Sequence, residues 1–178
     1  WGPSGTDQTF DGNGDGTPDS EQSNVASLHS ADGDGYVTIA VTEGGAALED
    51  VTAQPHPTDA GKWRWPWGFY AFRVTGVTGP ALVEMFLHEG STTQLPTDYV
   101  KHGPAGPGED PIYYAFEYDE SSGTGATFEG NKISLHFIDG QLGDQDWKEN
   151  AVIVDPGGPA VEADAVDVER EGAQIDHV

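Results

Sequence analysis

Oxygen-bearing side chains recur at alternate positions in Asp11-Gly12-Asn13-Gly14-Asp15-Gly16-Thr17-Pro18-Asp19-Ser20-Glu21-Gln22. A hard cation such as calcium takes about six to eight oxygens in a flexible shell. A loop wrapped round such an ion offers side chains from its positions 1, 3 and 5, which here are Asp11, Asn13 and Asp15. Position 6 must then turn sharply. Gly16 stands there, and glycine tolerates the positive φ that the turn needs. The Thr17 carbonyl falls at position 7 and Asp19 at position 9. Position 12, where an EF-hand carries a bidentate Glu, is Gln22, and Glu21 comes one place early. The pattern predicts a short aspartate-rich calcium loop built from Asp11, Asn13, Asp15, Thr17 and Asp19, not a full EF-hand. The competing account is an acidic, Gly-rich solvated turn.

A second acidic stretch over residues 139–150 offers Asp139, Asp144, Asp146 and Asn150 to an ion. Its spacing is less regular, and a solvated turn accounts for it equally well. Asp32 and Asp34 are a third candidate. Either cluster is able instead to complete the shell of the first loop. Aromatic residues concentrate in Lys62-Trp63-Arg64-Trp65-Pro66-Trp67-Gly68-Phe69-Tyr70. Exposed indole faces stack on sugar rings, so Trp63, Trp65 and Trp67 form a candidate glycan-binding patch. Core packing is the alternative, since aromatics bury large apolar areas. Trp63 is the one expected to be exposed. The six histidines show no zinc-pair spacing. There is no G-x-S-x-G, phosphate loop or zinc helix. With 31 acidic residues, chance carboxylate pairs are certain and mean nothing. The expectation is a protein without enzymatic activity.

These loops need a scaffold. The chain has 178 residues, enough for one domain with a sizeable core, and it carries 25 glycines and 12 prolines. Apolar runs are short and punctuated by turn residues, which favours an all-β domain. Residues 36–42 alternate, with Val37, Ile39 and Val41 on one face. Residues 69–77 and 81–89 read as a hairpin around Thr78-Gly79-Pro80, with Val83, Met85 and Leu87 pointing one way. Residues 24–29 read as a strand or one helical turn, 47–53 as a weaker strand and 99–102 as a short edge strand. Ile112, Tyr114, Phe116 and Tyr118 share a face. Gly130-Asn131 marks a tight turn before a strand presenting Ile133, Leu135 and Phe137. Residues 151–154 form a last strand closed by Asp155-Pro156-Gly157-Gly158-Pro159. Roughly seven to nine strands at this spacing predict an antiparallel β-sandwich, Ig-like or jelly-roll-like. The domain reading is a strap and calcium loop over 1–23, the sandwich over 24–160, and an acidic tail over 161–178.

The net charge is −24, with only seven basic residues. Such a surface repels nucleic acid and anionic membranes, attracts divalent cations and suits a salty medium. No cysteine is present, so no disulfide forms and a metal would have to do the stapling. No apolar stretch is long enough to span a membrane. The chain opens at Trp1, which reads as a processed form or an excised piece. Calcium is plentiful outside cells, which favours an extracellular setting.

Several blocks resemble a bacterial module, the choice-of-anchor U domain. They are the loop Asp11-Gly-Asn-Gly-Asp-Gly-Thr-Pro-Asp-Ser-Glu-Gln with Asn24-Val-Ala-Ser-Leu, then Tyr36-Val-Thr-Ile and Trp67-Gly-Phe-Tyr-Ala-Phe-Arg-Val-Thr-Gly-Val. Tyr99-Val-Lys-His-Gly-Pro and Tyr114-Ala-Phe-Glu-Tyr-Asp follow. The closing blocks are Gly130-Asn-Lys-Ile-Ser-Leu-His-Phe-Ile-Asp-Gly-Gln-Leu-Gly-Asp-Gln-Asp and Val152-Ile-Val-Asp-Pro-Gly-Gly-Pro. The resemblance spans roughly residues 7–160. It implies an extracellular, cell-surface module with no known activity, and an opening loop similar to a thrombospondin type 3 calcium repeat. It also strengthens Asp139, Asp144, Asp146 and Asn150 as ligands. The family often carries a cysteine where this chain reads Gly45-Ala46-Ala47, and an acidic tail follows Pro159 where the family carries an anchor. The reading that results is a calcium-stabilised extracellular structural or adhesive module with a protein partner or self-association at the cell surface. The alternative is a carbohydrate-binding module using the tryptophans.

Overall fold

Apolar side chains at every second position put one face of a strand in the core, and that period organises the whole chain. The computed structural model describes residues 1–33, 35–89 and 94–163. Among the described residues, one short 3-10 turn (Asp19–Glu21) precedes eleven strands. These are β1 (Val25–His29), β2 (Tyr36–Glu43), β3 (Ala47–Gln54), β4 (Trp63–Arg64), β5 (Phe69–Thr75) and β6 (Ala81–Glu89). The others are β7 (Asp98–Pro104), β8 (Pro111–Ala115), β9 (Gly125–Glu129), β10 (Lys132–Phe137) and β11 (Val152–Glu162). They make two antiparallel sheets packed together, an all-β sandwich. One sheet has the order β1-β2-β6-β10-β9; the other is β3-β5-β11-β7-β8, with β4 beside β11. The core between them holds Val37, Ile39, Val83, Met85, Ile133 and Leu135 from the first sheet, and Tyr70, Phe72, Val74, Tyr99 and Ile153 from the second.

The turn at Gly130-Asn131 closes a β9–β10 hairpin, with Glu129 opposite Lys132 and Gly130 at φ +60°. Thr78-Gly79-Pro80 does not close one. β5 pairs with β3 and β11, whereas β6 pairs with β2 and β10, so this segment crosses between sheets. Alternation reveals which face of a strand is buried, not which sheet the strand joins. Of residues 24–29, Val25–His29 form a strand, not a helical turn. The 99–102 segment is no edge: β7 lies between β11 and β8. Of the face expected over 112–118, Phe116 is buried and Tyr114 packs on the core, but Ile112 near the start of the edge strand β8 and Tyr118 beyond its end are exposed.

The largest departure is β11. Proline and glycine after Val154 suggest a stop, yet the strand continues to Glu162. Proline lacks an N–H, so it suits a strand bonded on one side at a time. At its prolines β11 meets that condition: β5 pairs with Pro156 and β7 with Pro159. Beside Val154 the 139–150 loop takes the place of β7. There Gln145 N–H donates to the Val154 carbonyl (3.0 Å) and Asp144 Oδ1 accepts from Val154 N–H (3.1 Å). The domain boundary read at residue 160 therefore falls inside a strand, since Val161 and Glu162 pair with Arg64 and Trp63. The rest of the acidic tail, 164–178, lies outside the described residues.

Candidate functional site

The N-terminal loop lies against the outer face of β2, which explains why Tyr36 and Thr38 are buried as well as their core-facing neighbours. Phe10 bolts it down, edge-on to Tyr36 at 5.7 Å and His88 at 5.4 Å. Gly12 sits so close to Thr38 and Phe10 that no side chain fits there. Within the loop, Asp11 accepts from three backbone N–H groups: Gly14 (2.8 Å) and Asp15 (3.1 Å) on Oδ1, and Gly16 (2.8 Å) on Oδ2. Gly14 and Gly16 have φ of +72° and +91°, values glycine reaches without strain.

Asp15 accepts from Thr17 N–H (2.8 Å), from Asn13 Nδ2 (2.9 Å) and, on both oxygens, from Gln22 Nε2 (2.9 and 2.8 Å). Those donors, Gln22 foremost, hold the Asp15 carboxyl below its usual range. Two amide groups thus converge on one carboxylate, while Gln22 Oε1 is buried with no hydrogen-bond partner. Turning both amides over would present oxygens to the same spot. The donor set of Asp11, Asn13, Asp15 and Gln22 therefore suits a hard cation. Gln22, at loop position 12, is the member that spacing alone passed over.

Asp19 does something else. It is buried and accepts from Gly12 N–H (3.0 Å) and from the Ser27 hydroxyl. Ser27 continues to Thr38 (2.7 Å) and Thr38 to His88 Nε2 (2.8 Å). Both Asp19 oxygens are engaged, tying Gly12 to β1 and, through Ser27, to β2. Burial lowers the His88 pKa, with Asp19 and Glu89 opposing.

The second cluster is also reassigned in part. Asp144 is 1% exposed, and its oxygens accept from Gly140 N–H (3.0 Å) and Val154 N–H (3.1 Å). A carboxylate enclosed in this way plugs the loop against β11. Burial raises its pKa; the two N–H groups lower it in part, and Asp146 and Asp139 raise it further. Asp146 accepts from Lys148 N–H (2.9 Å) and Asn150 Nδ2 (3.0 Å), Asn150 Oδ1 accepts from Val152 N–H (3.0 Å), and Asp139 Oδ2 accepts from Ala151 N–H (2.6 Å). These bonds shape the loop that substitutes for β7. Among the described residues no three His, Asp or Glu side chains are gathered to hold a metal. Of the third candidate, Asp32 accepts from His56 N–H, and Asp34 lies outside the described residues.

The aromatic patch does not form. Trp65 and Trp67 are 2% and 4% exposed and belong to the hydrophobic core, so neither presents a face to a sugar. Trp63 is half-buried, and its ring is covered by Lys62 Nζ at 4.8 Å.

What spacing missed entirely is a charged pair inside the sandwich. Lys101 on β7 and Asp155 on β11 are 1% and 0% exposed, and their Nζ and Oδ1 atoms are in contact. The Tyr99 hydroxyl donates to Asp155 Oδ2 (2.7 Å). Phe116 and Phe137, stacked on each other at 5.3 Å, hold Lys101 Nζ at 5.4 and 5.2 Å from their centres. Burial drives the Lys101 pKa well below the usual lysine range, against the pull of nearby Asp144. The signal was a single charge inside each of two apolar strands, Tyr99-Val100-Lys101 and Ile153-Val154-Asp155.

No helix among the described residues is long and apolar enough to cross a membrane. Comparison with family models, curated proteins and solved structures finds no match, so the geometry alone supports a functional reading.

Proposed function

We propose that the protein is a calcium-stabilised structural or adhesive module of the cell exterior, in which the ion braces the N-terminal loop against the sandwich. The observation that supports this most is the convergence of the Asn13 and Gln22 amides on Asp15, beside a buried Gln22 oxygen without a partner. A calcium ion there takes oxygens from Asp11, Asn13, Asp15 and Gln22, with the Thr17 carbonyl next in the loop. The acidic surface agrees with a setting rich in divalent cations and salt. Partners are other proteins or further copies of the chain, met through surface strands such as the exposed edge at β8.

Calcium binds the folded loop and not the unfolded chain. At about 100 times its dissociation constant it adds about 2.7 kcal/mol to stability. Extracellular modules hold calcium at about 10⁻⁴–10⁻³ M, so millimolar calcium is the relevant condition. The test is thermal unfolding with calcium and with chelator at constant ionic strength. A midpoint that falls on chelation supports the reading; an unchanged midpoint refutes it.

A further inference from the structure

The Lys101–Asp155 contact has the composition of a reaction rather than of an ordinary ion pair. We infer that Lys101 and Asp155 condense in the folded domain to a side-chain amide, a covalent link between β7 and β11. Four independent features of the site support this.

The first is register. Lys101 lies opposite Gly157, and Asp155 is two residues further along β11 on the same face. A Cβ at Gly157 would sit 3.1 Å from Lys101 Cγ and 2.8 Å from the Tyr99 ring. The missing side chain is the space through which the lysine stem crosses β11. The second is partnering: Lys101 Nζ and Asp155 Oδ1 have no conventional hydrogen-bond partner, and each faces the other. The third is dryness. The Phe116 and Phe137 rings cap the amine, and a Cβ on Gly143 would run into both of them, so the loop above is closed down on the site. The fourth is the Tyr99 hydroxyl, a fixed donor on the carboxyl oxygen that does not touch the lysine.

The chemistry needs no cofactor. An ammonium–carboxylate pair in a dry apolar site is costly, and the depressed lysine pKa favours passing one proton from Nζ to the carboxylate. The result is a neutral amine beside a carboxylic acid. The nitrogen lone pair adds to Cγ, forming the C–N bond. Charge developing on Oδ2 is stabilised by the Tyr99 O–H, which burial keeps protonated. The Cγ–Oδ1 bond then breaks, and the hydroxyl leaves as water with a proton from nitrogen. One amide and one water form from one amine and one acid, with no change of oxidation state. Fixed alignment of two such groups corresponds to an effective concentration of about 10⁵–10⁸ M, and enclosure beneath the Phe116 and Phe137 rings opposes the reverse step, which needs water.

The experiment is intact-mass measurement of the folded, purified chain, followed by proteolysis and sequencing of branched peptides. The expected result is a mass one water below that of the sequence, with the Lys101 segment joined to the Asp155 segment. Asp155→Asn keeps the acyl carbon and is expected to lose ammonia instead. Cyclisation at Asp-Gly steps such as Asp139-Gly140 also releases water, so Lys101→Arg is the control: the loss must vanish. A full sequence mass in the folded wild-type chain overturns the proposal, as does a water loss that persists in Lys101→Arg. The wild-type branched peptide decides the matter even if a variant fails to fold.

Discussion

Stability separates an amide from a buried ion pair at the Lys101–Asp155 contact, provided the right variants are compared. Both residues are essentially inaccessible to solvent. Lys101→Met removes the cation and leaves the Asp155 carboxyl buried with only Tyr99 as donor, and breaking a buried pair from one side costs about 3–5 kcal/mol. Replacing the whole polar set, with Tyr99→Phe, Lys101→Met and Asp155→Leu together, avoids that penalty and leaves no hydroxyl without an acceptor. For a simple ion pair such a replacement is about neutral or mildly stabilising. An amide changes the expectation. It closes a loop of about fifty residues, and constraining a loop of that length contributes about 4 kcal/mol. The triple variant should then fall short of wild type by about 4 kcal/mol, and Lys101→Met by about 7–9 kcal/mol. A domain is stable by only about 5–15 kcal/mol, so the single variant should be largely unfolded and the triple variant is the informative one. At about 2–4 °C per kcal/mol, its midpoint should lie about 10 °C lower. Urea titration of wild type and triple variant in high salt measures the difference. A triple variant within about 1 kcal/mol of wild type refutes the covalent link.

Other expectations follow from neighbouring groups. Asp144→Ala leaves the Gly140 and Val154 N–H groups without acceptors and should cost about 1–3 kcal/mol for each, read by urea titration. Asp144 also sets a pH dependence. Its folded pKa is raised above 3.8, so the folded state takes up the proton first; the group costs stability at neutral pH, and that cost is relieved as pH falls through the folded value towards 3.8. Wild type should therefore gain stability relative to Asp144→Asn during acidification, with a flat difference above the folded value; a wild type that loses stability relative to Asp144→Asn on acidification contradicts this. Gly157→Ala introduces a methyl 2.8 Å from the Tyr99 ring and 3.1 Å from Lys101 Cγ and should cost about 1–3 kcal/mol by overpacking, with less branched peptide recovered. Asp15→Ala removes the acceptor on which the Asn13 and Gln22 amides converge. Its midpoint should no longer respond to calcium or chelator, and a retained response would remove Asp15 from the site.

The sandwich was legible because its signal is local. Val37, Ile39, Val41 and Val83, Met85, Leu87 announce buried strand faces without reference to the rest of the chain. Sheet membership is not local, which is why Thr78-Gly79-Pro80 reads as a hairpin and proves to be a crossing. The full length of β11 is hidden in the sequence for a related reason. Pro156 and Pro159 are stop signals unless the strand changes partners between them, and the partners come from β5 and β7. The N-terminal acidic loop shows the same division. Alternating Asp11, Asn13 and Asp15 mark its centre, but Asp19 belongs to a hydrogen-bond chain through Ser27 and Thr38 that no spacing rule contains. Trp65 and Trp67 were ambiguous at the start, since aromatic clusters mark cores and sugar platforms alike; only their depth in the fold decides between them.

The charge of the chain explains why its reinforcement would lie inside. With 31 acidic residues against seven basic, ion pairing cannot balance the surface, and the surface pairs Lys62–Glu162 and Arg73–Asp50 are solvent-exposed and weak. Repulsion among the unpaired carboxylates works against compactness, most of all when salt is low. No disulfide is available to resist it. A bound cation at Asp11 and Asp15 would lower the repulsion between those carboxylates and tie the N-terminal strap to β2. A Lys101–Asp155 amide would act where salt and pH do not reach, on the central strand that both β5 and β7 depend on. The two devices are separable by experiment, because chelation reverses the first and leaves the second untouched. If both operate, the chelated protein should lose its N-terminal loop to protease first while the β5-β11-β7 sheet stays protected. Simultaneous loss of both regions on chelation would show that the sandwich has no reinforcement independent of the metal.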